Sequence, residues 1–198
     1  MNKKKESIVL ELLKITAALF LYTGIPAVFS FFFLFIDVNA VLSVIMGLVF
    51  LLPTSALLYY GGSTRGKNAF KFIKRSKDDN NDKYAHFMAF APYKPLILAA
   101  PFVVIVAVSA LLGALISGIG GGIFRIFVYG LLNAPAILVQ AAGGLPDMQI
   151  SWAAFVVFCI AAVVYAAVFC VGYIITGLRL RQSEADMIRE MKTFDFKL

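Results

Sequence analysis

The chain has 198 residues, of which 61% are hydrophobic and 15% charged, with a formal net charge of +7 and a mean hydropathy of +0.88. Soluble domains carry about 25% charged residues, so this composition excludes an ordinary water-soluble globular domain. The apolar residues fall in long uncharged runs of the length a helix needs to cross about 30 Å of hydrocarbon. Runs such as Phe31-Phe32-Phe33-Leu34-Phe35 do not alternate, which rules out a lipid-facing β-barrel.

The first stretch, Met1 to Lys14, opens with Lys3-Lys4-Lys5 and becomes amphipathic. Glu11 and Lys14 have the i,i+3 spacing of a neutralising pair on one helix face. No small-x-small cleavage pattern follows, so this start reads as a retained first span rather than a signal peptide. That span is predicted at 15–36, with Gly24 and Pro26 placing a kink in it. The short turn Asp37-Val38-Asn39 then forces an antiparallel hairpin into a second span at 40–60, with Pro53 inside it and Tyr59 and Tyr60 at the interfacial aromatic belt.

Residues 61–94 form the one long polar stretch between the apolar halves. It carries Arg65, Lys67, Lys71, Lys74, Arg75, Lys77, Lys83 and Lys94 against Asp78, Asp79 and Asp82. Gly61 to Lys67 matches G-x-x-x-x-G-K, but a nucleotide loop needs a preceding strand and a final Ser or Thr, and here the next residue is Asn68. The sequence therefore predicts a flexible helix exit and a basic, partly helical stretch. In it Arg65, Lys67, Lys71, Lys74, Arg75 and Lys77 meet anionic lipid while Phe70 and Ile73 dip into the headgroups. Asp78 to Asp82 lacks the later glycine and glutamate of a calcium loop. His86, the one histidine, reads as ordinary surface.

Pro92 and Pro95 bracket the start of a third span at 96–118. Two stripes of small residues mark it: Ser109, Gly113, Ser117 and Gly121, and one position on Ala110, Ala114, Gly118 and Gly122. Small residues every four positions let helix backbones approach closely in lipid, so this helix is predicted to be the packing centre; a small-residue lining around a substrate path is the alternative. Residues 123–144 are apolar enough to cross, but Arg125, Gly130, Asn133 and Pro135 interrupt them. Arg125, Tyr129, Asn133 and Gln140 fall within about 80° of helical arc. With Asp147 they form the one polar constellation outside the basic stretches. It reads as an interfacial helix whose arginine meets lipid phosphate, or as a vestibule for a small anionic or polar ligand. Ser151 is a predicted N-cap for a last span at 151–177, followed by a charge-balanced tail at 178–198. Cys159 and Cys170 are about 16 Å apart along that helix and cannot bridge each other.

Positive charge favours the cytoplasmic side. With four spans, every Lys and Arg except Arg125 lies on that side, whereas a fifth crossing would export Arg179 and Arg181. The predicted fold is all-α: one polytopic membrane domain with four transmembrane helices, an extracytoplasmic interfacial or re-entrant segment at 123–144, and cytoplasmic termini in the plasma (inner) membrane. The four predicted spans carry no Asp, Glu, His, Lys or Arg, and intramembrane catalysis or proton relay needs such groups at depth. The expected function is non-enzymatic: an assembly, scaffold or accessory subunit with a basic cytoplasmic face, partnered by bilayer lipid and by itself or another membrane protein. The alternative is a small-solute transporter or channel component with its polar site around Arg125. A lipid-modifying enzyme would lack its catalytic groups. No cofactor, metal or nucleic acid is expected.

Overall fold

The computed structural model describes residues 8–30, 40–78, 83–116, 118–132, 135–137 and 150–195. The described residues form six helices: α1 (Ile8–Ser30), α2 (Ala40–Asp78), α3 (Lys83–Met88), α4 (Lys94–Leu115), α5 (Gly118–Leu131) and α6 (Trp152–Asp195). Four of them, α1, α2, α4 and α6, are long and apolar enough to cross a membrane. The protein is thus an all-α, polytopic helical membrane protein with one further short apolar segment, as its hydropathy pattern predicts.

Several predicted boundaries move. α1 is described from Ile8, so Glu11 and Lys14 lie in its first turns, where the amphipathic stretch is expected to begin the first helix. α2 does not end at Tyr60. It continues through the supposed flexible exit and most of the basic stretch to Asp78, 39 residues or about 58 Å. α6 likewise absorbs most of the predicted tail and reaches Asp195, 44 residues or about 66 Å. The hydropathy boundary marks where solvent changes, and a helix can cross that boundary unbroken.

Glycine costs about 1 kcal/mol in a helix interior, so the helical state of 61–66 needs a tertiary cause. It lies in the packing. α2 and α6 make the most extensive contact in the bundle. A Cβ at Gly62 would overlap the Phe169 carbonyl, one at Gly66 the Tyr173 carbonyl, and one at Gly172 the Tyr59 carbonyl. The two backbones touch across these glycines, as in other small-xxx-small contacts in lipid. Two polar links flank the contact: the Thr176 hydroxyl donates to Ser63 Oγ at 2.8 Å, and the Tyr165 phenol and Thr54 hydroxyl share a hydrogen bond. Because partners rise together from 54 with 165 to 66 with 173, α2 and α6 run parallel.

α6 makes the broadest contacts, with α2 and α4, while α4 itself contacts α6, α5 and α1. Ser109, Ala110 and Gly113 are buried and Ala114 is half-buried. Their stripe does not continue along one helix, however, because α4 stops at Leu115 and Ile116 is extended at φ −91° and ψ 123°. Ser117 lies outside the described residues, and Gly118 opens α5. Phe20, Phe102 and Phe127 join α1, α4 and α5 at mid-bundle with ring centroids 5.2 and 5.8 Å apart.

Of the segment predicted at 123–144, residues 123–132 and 135–137 are described. α5 begins at Gly118, and its 14 residues span about 21 Å, short of a crossing. It folds back along α4, with Gly121 against Ile116 and Arg125 against Gly113. Its far end is deep: Tyr129 packs edge-on against Phe158 at 5.6 Å, and Leu132, Ala136 and Ile137 are buried. The chain is back at the starting end by Ile150, whose Cδ1 lies 3.0 Å from where a Gly113 Cβ would stand. Gly113 touches both arms of the excursion. The described parts of the segment, α5 and Ile150, thus meet at the C-terminal end of α4, and four described helices are long and apolar enough to cross.

Candidate functional site: the cationic end of the bundle

With α2 and α6 parallel and α4 antiparallel to them, the starts of α1 and α4 meet the ends of α2 and α6. Every described Lys and Arg except Arg125 is at this end.

Glu11 anchors it. Its side chain is 10% exposed, and Arg65 Nη1 on α2 donates to its Oε1. Lys14 Nζ lies 3.4 Å from the other carboxylate oxygen but is 58% exposed. The predicted Glu11–Lys14 pair therefore exists as the outer half of a triad, and the inner partner is a residue 54 positions away. Arg65 is corrected accordingly: it faces the bundle and pairs with Glu11 instead of extending to lipid. Lys67 and Lys71 are exposed on the same helix. The side chains of Lys74, Arg75 and Lys77 lie outside the described residues.

Next to Arg65 is the corner between α3 and α4. The Phe90 amide donates to the Ala69 carbonyl at 3.1 Å, which ties the corner to α2. The Phe90 ring stacks on Tyr173 at 5.3 Å and lies over Gly177, which ties it to α6. Phe72 and Tyr84 meet edge-on at 5.7 Å. Lys94 is the first residue of α4, an unfavourable place for a cation on that helix, yet its Nζ donates to the His86 and Ala89 carbonyls, both at 2.6 Å. It caps the C-terminal end of α3, where unpaired carbonyls favour positive charge. A cavity of about 300 Å³ opens beside it, lined by His86, Phe87, Tyr93, Lys94, Ile97 and Leu98. A smaller gap behind shares Phe87, Lys94 and Leu98 and reaches Arg65, Asn68 and Tyr173. His86, set down as plain surface by its sequence context, lines this cavity.

The predicted polar constellation at the opposite end is organised differently. Arg125 Nε donates to the Gly113 carbonyl at 2.8 Å and Nη2 to the Ile116 carbonyl at 3.1 Å. The guanidinium closes the C-terminal end of α4, a structural task that the polar spacing does not reveal. Tyr129 is 1% exposed and packs into the core. Asn133, Gln140 and Asp147 lie outside the described residues. Ser151 performs as predicted: its Oγ accepts the Ala154 amide at 3.2 Å. Among the described residues no group of three or more His, Cys, Asp or Glu could hold a metal ion. Cys159 and Cys170 are free thiols.

Comparison with protein-family models, with curated proteins and with solved structures yields no match for this chain.

Proposed function

We propose that this multipass protein is a non-enzymatic assembly or accessory subunit whose cationic end rests on the anionic, cytoplasmic face of its membrane. The observation that carries this reading is the gathering of positive charge at one end of the bundle, where α2 and α6 continue as rigid charged helices past their apolar lengths. Anionic lipid attracts such a surface by about 1 kcal/mol per Lys or Arg, and salt weakens it. The charged groups nearest the bundle interior support a non-catalytic role, because Glu11 is held by Arg65 and Lys94 by two carbonyls. The test is the thermal midpoint of the purified protein in nanodiscs. It should rise with phosphatidylglycerol content, the rise should shrink in high salt, and crosslinking in the membrane should recover defined oligomers or partner complexes. Equal midpoints in neutral and anionic discs would reject the reading.

One observation favours a transporter or channel component instead. α5 is too short to cross and folds back along α4, and irregular backbone at membrane depth is tolerated only where it is buried in protein or lines a water-filled path. Solute flux in proteoliposomes that disappears when α5 is altered supports that reading over the first.

A further inference from the structure

We propose that the cavity at the α3–α4 corner is a binding site for one anionic phospholipid, with the lipid phosphate at Lys94 and an acyl chain lying along Ile97. The inference rests on the membrane-surface reading above and gives it a specific site. Three observations carry it. First, among the described residues no carboxylate lies within 4.0 Å of Lys94, and Glu11 is paired with Arg65 and Lys14. Its ammonium has three donors, and carbonyls take two of them. The third is left for an anion. Second, the lining has two chemistries. His86, Tyr93 and Lys94 supply polar groups, and Phe87, Ile97 and Leu98 apolar ones. A free inorganic anion uses only the first, whereas an amphiphile uses both. Third, the depth is right. Lys94 and Tyr93 begin a membrane-crossing helix, where phosphates and interfacial tyrosines sit. Leu96 and Ile97 follow, exposed, along the path of a hydrocarbon chain. At about 300 Å³ the cavity takes a headgroup and leaves the chains outside.

The experiment is native mass spectrometry of the full-length protein released from neutral detergent and titrated with dioleoyl phosphatidylglycerol, dioleoyl phosphatidylcholine or inorganic phosphate. One phosphatidylglycerol should be retained per chain in preference to phosphatidylcholine. Lys94→Gln should weaken it about five-fold, the equivalent of one lysine's attraction. Ile97→Trp, which fills the cavity and leaves the cap on α3 intact, should abolish retention even if Lys94→Gln does not fold. Lys67→Gln with Lys71→Gln should leave this single site unchanged. Phosphatidylcholine retained equally well, or inorganic phosphate displacing the lipid at equal concentration, would overturn the assignment. If Lys94→Gln and Ile97→Trp bind like wild type while Lys67→Gln with Lys71→Gln binds less, the site is wrong and the diffuse surface reading stands. Loss of any preference for anionic lipid in the wild type removes both.

Discussion

The glycine contact between α2 and α6 makes the sharpest prediction, because one substitution should have opposite effects at different glycines. In Gly62→Ala the new methyl meets the Phe169 carbonyl, and in Gly66→Ala the Tyr173 carbonyl; both obstacles are backbone and cannot rotate away. The helices must part. Overpacking of this kind costs about 1–3 kcal/mol. A gap of 0.5–1 Å also forfeits about a quarter to a half of each neighbouring dispersion contact, and it stretches the Ser63–Thr176 hydrogen bond, a type worth about 0.6 kcal/mol between membrane helices. Alanine returns about 1 kcal/mol of helix propensity. The net expectation is a loss of about 1–3 kcal/mol at either site. At Gly24 in α1 and Gly130 in α5 an added Cβ meets nothing within 4 Å, so there the same change should stabilise by up to about 1 kcal/mol. Unfolding midpoints in a titration of mild detergent with sodium dodecyl sulfate measure all four variants on one scale. If Gly62→Ala and Gly66→Ala shift the midpoint in the same direction as Gly24→Ala, the close approach of α2 and α6 is wrong.

Breaking the buried pair by Glu11→Gln, which leaves Arg65 without its partner, or by Arg65→Met, which leaves Glu11 only the exposed Lys14, should cost about 3 kcal/mol in the same titration. The double variant Glu11→Leu with Arg65→Met should recover most of that, and strictly additive losses would argue against direct pairing. Ser151→Ala should cost about 1 kcal/mol and Ser151→Gly only a few tenths; indistinguishable midpoints for the two would remove the cap from the account of α6. For the path of the chain, single cysteines at 122 and 147, and at 67 and 181, with Cys159 and Cys170 replaced by Ala, would be challenged with an impermeant thiol reagent on intact cells. Positions 122 and 147 should label together, with 67 and 181 protected, and labelling at 181 from outside would mean that the segment containing α5 crosses.

The four crossings were legible because hydropathy reports the solvent around each residue, and length against bilayer thickness does the rest. The parity of the threading rests on a related argument, that Arg125 and the basic residues of α6 oppose a fifth crossing, and the cysteine labelling tests it. The cap at Ser151 was legible because it is local. What escaped was long-range or composite. A stretch holding Gly61, Gly62 and Gly66 among lysines has the composition of a loop, and only the carbonyls of α6, more than a hundred residues on, supply the reason for it to be helical. Glu11 has a local partner in Lys14 and a better one in Arg65, and sequence spacing displays only the first. The polar spacing of Arg125 and Tyr129 marked a helix face, but no pattern along one helix shows that its arginine serves the broken end of another.

The parallel pairing of α2 and α6 has a consequence for how the protein is made. Ser63 and its partner Thr176 are 113 residues apart, and at about 5–20 residues per second the ribosome takes roughly 6–23 s to travel between them. During that interval the bare glycine face of α2 has no α6 to close on, and the basic half of α2 must wait without its partner. α1, whose Tyr22 covers Gly61 and whose Glu11 neutralises Arg65, is already present. The hairpin of α1 and α2 is thus a nursery for the later interface: it holds the glycine surface in register until α6 arrives. A lesion in α1 that spares the finished bundle can therefore still lower the yield of inserted protein, and pulse-labelled chains chased over that interval would show it as turnover before assembly.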